Sequence, residues 1–125
     1  MIVITWIITG LVAAVNLAAG AGKIFTPWEK LSAQMPYTET VGKGPTLLAG
    51  WAEVIGAIGL VVPNILAHTV PGWEWAKWVS FAAAIGLALV QSLAIGVHLR
   101  RNEKITANII LLLAAVVAAV LIALT

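Results

Sequence analysis

Four apolar stretches, at residues 2–22, 45–66, 75–98 and 105–124, dominate this chain. A helix that crosses the hydrocarbon core of a bilayer needs about 20 mostly apolar residues, at a rise of about 1.5 Å each. Every stretch meets that length. Their apolar runs are continuous rather than alternating, which argues against a membrane β-barrel. Together they use most of the 125 residues, so no soluble domain fits beside them. The expected fold is all-α and integral to the membrane. It is a four-transmembrane-helix bundle forming one transmembrane domain over residues 1–125, with a short interfacial helix in the first loop.

The charge count agrees. Charged residues make up 10% of the chain and hydrophobic ones 62%, whereas soluble domains are about 25% charged. So few polar side chains cannot cover a water-facing shell, which excludes a soluble enzyme and a disordered tail. Seven Lys and Arg stand against five acidic residues. They form no long basic stripe, so no nucleic-acid partner is expected. Cys is absent, which removes disulfides, thiol chemistry and Cys-ligated metals. His68 and His98 fall toward opposite sides of the bundle and cannot clamp one haem, so no metal site is expected. The residues name no cofactor.

Ala19-Gly20-Ala21 looks like a signal-peptidase triplet, but residues 1–5 carry no Lys or Arg, and a signal peptide needs a basic start and a shorter apolar core. The first span is therefore expected to be retained. Orientation follows from the cations. Lys23, Lys30 and Lys43 lie in the first loop, Arg100, Arg101 and Lys104 in the third, and only Lys77 on the other side. The positive-inside bias puts both termini on the non-cytoplasmic side. Trp6, Trp73, Trp75 and Trp78 then mark the outer interface, and Trp28 and Trp51 lie toward the inner one. In the first loop, Thr26-Pro27-Trp28-Glu29 reads as a capping box with Pro at the first helical position. It predicts a short helix over 27–34, ended by Met35-Pro36.

Residues three and four apart share a helix face. On the first span Thr5, Thr9, Val12, Asn16, Gly20 and Lys23 form one stripe. On the second, Thr46, Ala49, Gly50, Glu53, Gly56, Ala57 and Leu60 do so, and on the third Ser80, Ala84, Leu87, Ala88, Gln91, Ala94 and His98. These stripes are small or polar, so they should face the bundle interior. The fourth span offers only Thr106 and Asn108. By helical rise, Glu53 lies about 12 Å in from Pro45, Gln91 about 13 Å in from Arg100, and Asn16 about 10 Å beyond Lys23. The polar groups of four helices thus converge on one half of the bundle.

Glu53 is the sharpest signal, because an ionisable group inside a span is costly and marks a functional site by default. Lys23 ends the neighbouring helix and is its natural partner. The candidate acid–base set is Glu53, Lys23 and His98, with His98 at the cavity mouth. The candidate substrate contacts are Asn16, Gln91, Asn108 and Trp51. The competing reading makes Lys23–Glu53 a register-fixing pair and Asn16 and Gln91 interhelical hydrogen-bond partners. Trp51 either walls the pocket or faces lipid.

The first span ends Ala19-Gly20-Ala21-Gly22-Lys23-Ile24-Phe25. The second holds Gly50-Trp51-Ala52-Glu53-Val54-Ile55-Gly56-Ala57-Ile58-Gly59-Leu60 and closes with Pro63. The third contains Ala82-Ala83-Ala84-Ile85-Gly86-Leu87-Ala88-Leu89 and ends His98-Leu99-Arg100-Arg101-Asn102-Glu103. Over almost its whole length the chain resembles the DoxX-like family of small four-helix bacterial membrane proteins. The resemblance implies a four-helix bundle in the bacterial inner (plasma) membrane. The wider family is named for subunits associated with quinone-linked oxidation of sulfur compounds. It supplies no catalytic set to carry across.

Three functions compete. In the first, the protein binds or acts on a hydrophobic small molecule, a quinone or an isoprenoid-type lipid, in an intramembrane pocket. Glu53 is then the acid/base group, and an enzymatic form would be an isomerase or epoxide-opening type. The second is a structural accessory subunit of a membrane oxidoreductase complex. The third is a proton-coupled transporter, since Ala52-Glu53-Val54-Ile55-Gly56 is similar to the membrane Glu segment of small multidrug-resistance transporters. There the Glu lies in the first span, not the second. Expected partners are membrane lipid or quinone, a second copy of the chain, or a larger membrane complex.

Overall fold

The computed structural model describes all 125 residues. In chain order it contains α1 (Ile2–Phe25), α2 (Trp28–Gln34), α3 (Tyr37–Val41), α4 (Lys43–Thr69), a 3-10 turn (Glu74–Ala76), α5 (Lys77–Arg100) and α6 (Thr106–Leu124), and no strand. Helices α1, α4, α5 and α6 are each long and apolar enough to cross a membrane. They pack in a ring, α1 on α4, α4 on α5, α5 on α6, and α6 back on α1. The chain is a multi-pass, all-α membrane bundle with the four spans expected.

The interior is set by residue size and polarity. The buried residues of α1 are Thr5, Thr9, Val12, Asn16 and Gly20; those of α5 are Ser80, Ala84, Leu87, Ala88 and Gln91. Helix α4 buries Thr46, Gly50, Glu53, Ala57, Leu60 and Asn64. Its bulky Leu48, Trp51, Ile55, Ile58 and Val62 are exposed. In lipid nothing drives a Leu inward, so close contact of small residues and polar pairing decide which face is buried. Helix α6 follows the same rule with Ala115, Ala118, Ala119 and Ile122. Five of the nine residues in the apolar core are Ala, which lets the helix backbones come close.

Helices α1 and α4 touch at two glycines. A Cβ on Gly20 would lie 2.5 Å from the Gly50 carbonyl oxygen, and one on Gly50 would lie 2.9 Å from Lys23 Cβ. The contact fixes the register of α1 on α4 and brings Lys23 beside Gly50, one turn from Glu53. Helices α4 and α5 are joined by a different device. Pro63 has no N–H, so the Gly59 carbonyl loses its helical partner. Ser80 Oγ of α5 donates to that carbonyl at 2.9 Å, which restores the bond across the interface.

The first loop departs from expectation in two ways. No side-chain capping bond starts α2, and Pro27 is its N-cap rather than its first helical residue. Thr26 instead terminates α1, donating its backbone N–H to Gly22. The capping box fails because α1 runs three residues past Gly22 and absorbs the intended cap. The chain also forms a further short helix, α3, after Pro36. Gly42 then turns into α4 at φ +98°, a backbone region open to glycine at little cost. His68, two residues past the expected end of the second span, lies in the last turn of α4, its ring edge-on to Trp6 at 5.6 Å.

Candidate functional site

A cavity of about 420 Å³ lies between α4 and α5 and is closed at one end by α3. Pockets that hold drug-sized molecules span about 300–1,000 Å³. Its walls are mostly Ala, Val, Leu and Pro, and its polar groups are Lys23, Tyr37, Thr46, Glu53, Gln91, His98 and Asn108. Leu48 and Leu93 flank it on the outside, and both are largely exposed. The cavity therefore opens sideways between α4 and α5, toward where lipid would lie.

Glu53 is 2% exposed, and its Oε1 accepts from Lys23 Nζ at 2.5 Å. Lys23 comes from the last turn of α1 and Glu53 from the third turn of α4, so the pair spans the Gly20–Gly50 contact. Glu53 Oε2 takes no hydrogen bond from the protein. Across the cavity, Asn108 Nδ2 of α6 donates to Gln91 Oε1 of α5 at 3.0 Å. That pair leaves the Gln91 amide N–H groups free. The cavity thus offers an acceptor on one wall and a donor on the other, the few oriented polar groups that an apolar pocket uses for specificity.

His98 stands at the α3 end. Its Nδ1 meets Glu103 Oε1 at 3.0 Å, and Arg101 Nε donates to the same oxygen at 3.1 Å. The His98 hydrogen bond, aided by the Arg101 charge and hydrogen bond, holds the Glu103 carboxyl below its usual value of 4.5 against the opposing effect of desolvation. A carboxylate only accepts, so His98 Nδ1 carries the hydrogen and Nε2 stays free of Glu103. Tyr37 packs edge-on against His98 with ring centroids 4.7 Å apart. Arg101 also donates to Thr40 Oγ1 of α3, tying α3 to the α5–α6 loop across the cavity end.

The sequence-derived candidates separate into two groups. Lys23, Glu53, Gln91, Asn108 and His98 all line the cavity. Asn16 does not. Its Nδ2 donates to Val12 in its own helix at 2.8 Å, and its buried Oδ1 has no partner. Trp51 is half exposed on the outer face of α4 and lies off the cavity wall. Tyr37 and Thr46 line the cavity, and Glu103 orients His98, without having been singled out from sequence. Thr46 lies on the small-polar stripe of α4. Tyr37 gives no periodic signal, because it rests on a helix of five residues.

Fold and cavity together define a small helical membrane protein with a largely apolar pocket, carrying a few polar groups, inside its spanning region. The DoxX-like family model matches residues 7–124, and the chain belongs to that family. No curated protein and no solved structure gives a match.

Proposed function

We propose that the protein binds a hydrophobic small molecule, a quinone or an isoprenoid-type lipid, in the α4–α5 cavity, with Glu53 as the group that exchanges a proton with it. The observation that carries this reading is the convergence of Lys23, Glu53, Gln91, His98 and Asn108, from three helices besides α4, on one apolar cavity. Although each of the five has a side-chain partner, Glu53 Oε2 and the Gln91 amide N–H groups remain unpaired on the walls of that shared space. Lys23 holds the Glu53 carboxyl through Oε1 and leaves Oε2 for the ligand. Gln91 orients the ligand from the facing wall, and His98 lines the end that α3 closes. The charge bias of the loops favours an orientation with this cavity in the cytoplasmic half and both termini outside, in a bacterial inner membrane.

A second reading is an accessory subunit in which Lys23–Glu53 only fixes helix register. The location of the pair, directly beside the Gly20–Gly50 contact, favours it. Equilibrium binding of a quinone with two isoprene units to the protein in lipid nanodiscs separates the two. The ligand reading expects saturable binding by the wild type that Glu53→Gln, assayed as folded protein below its own lowered melting temperature, weakens strongly. Absence of saturable binding by the wild type, with Glu53→Gln acting on stability alone, would establish the accessory reading instead.

A further inference from the structure

Below the cavity, a second hollow of about 400 Å³ runs along the same α4–α5 seam. Ala52 and Val90 line both, so the two adjoin along the seam. The lower hollow is walled by Gly56 and Gly59 of α4 and Ala82, Ala83 and Gly86 of α5, and every lining residue is Gly or aliphatic. The hollow exists because small residues face each other there. A Cβ on Gly59 would already meet Ala83 Cβ at 3.2 Å, whereas one on Gly86 would find nothing within 4 Å. From Val79 to Val90 the groove follows about 16 Å of α5. That length suits an extended chain of on the order of a dozen carbons.

Resting on the cavity reading above, we propose that the ligand is a single-chain amphiphile with an uncharged head. The head occupies the Glu53–Gln91 cavity, and the chain lies in the α4–α5 groove. The groove has no polar group with which to recognise anything but hydrocarbon. The cavity has no unmatched charge, since Lys23 is paired with Glu53, and Arg101 and His98 share Glu103. A phosphate head would need a free cation there. A single hollow of about 400 Å³ is assigned to a single chain, which distinguishes the ligand from a two-chain phospholipid. The exposed Ile55, Val79 and Leu93 leave the seam open to the bilayer, so such a molecule can enter sideways.

The test is photo-crosslinking in phosphatidylcholine nanodiscs with a three-isoprene benzoquinone carrying a diazirine at its tail end, with adducts mapped by mass spectrometry. A second probe carries the diazirine on the quinone ring. The proposal expects tail adducts at residues 55–59 and 79–86 and ring adducts near Glu53 and Gln91, both displaced by unlabelled quinone. Gly86→Leu, which fills open space, should abolish the displaceable tail adducts and leave the ring adducts. Tail adducts spread over lipid-facing Leu11 and Val117, with ring adducts still in the cavity, would overturn the groove but not the cavity. No displaceable adduct from either probe would overturn the cavity reading, and this proposal with it. A dimer that Gly86→Leu converts to a monomer would assign the groove to a second copy of the chain and overturn the proposal.

Discussion

Glu53 condenses the account at the scale of single residues. A buried carboxylate without its cation is far costlier than no pair at all, and breaking such a pair costs about 3–5 kcal/mol. Lys23→Met should therefore lower stability in detergent by about 3 kcal/mol, and the double variant Lys23→Met/Glu53→Leu should regain most of it. Thermal melts of the two variants check this, and equal melting temperatures would contradict it. Glu103 makes a prediction with a definite sign. Its folded-state pKa lies below the ordinary 4.5, so its contribution is complete above that value and lost as pH falls through the lowered one. Glu103→Gln should melt below the wild type at neutral pH, and the two curves should converge below pH 4.5. The Lys23–Glu53 pair was legible because one acid inside a span has few possible partners, and Lys23 ends the adjacent helix. Asn16 was misleading for a physical reason. Its side chain can bond the carbonyl four residues back in its own helix, and periodicity gives the face but not that choice.

At the scale of elements, the stripes of α1, α4 and α5 were readable because small and polar residues recur every three or four positions, and lipid leaves bulky residues outside. What periodicity could not supply was contact distance. The Gly20–Gly50 approach depends on two glycines, 30 positions apart, meeting at one level. Gly20→Ala forces a methyl against a carbonyl oxygen and should cost about 2 kcal/mol through separation of α1 from α4. It should also loosen Lys23 from Glu53. A melt unchanged by Gly20→Ala would show that the two backbones do not meet there. Ser80→Ala removes the bond that answers Pro63 and should cost about 1 kcal/mol. Restoring an N–H with Pro63→Ala in the same chain should recover much of that loss, because the helix then satisfies Gly59 itself. Helices α2 and α3 were only half legible. Pro27 and Pro36 announce breaks, but with seven and five residues these helices are too short to carry a period. They are held by tertiary contacts such as Arg101 to Thr40.

The whole molecule follows from one imbalance. With 62% hydrophobic residues, the bundle faces lipid almost everywhere and keeps its polar groups for the interior. One end of that interior closes with Thr5 against Thr125 and Lys77 on the Ala123 carbonyl. The other end opens into the cavity, where Glu53 and Gln91 face a shared space instead of each other. The spans and the convergence of polar groups on one half could be read from spacing and helical rise. The cavity itself could not, because it depends on α3 crossing the end of the bundle and on where small side chains leave space unfilled along the α4–α5 seam. The most direct measurement is an experimental density map of the protein purified with its native lipids. The account predicts an elongated non-protein density along the α4–α5 seam, its head within hydrogen-bonding distance of Glu53 and Gln91. A dry, closed seam, with side chains filling the space beside Glu53, would contradict it.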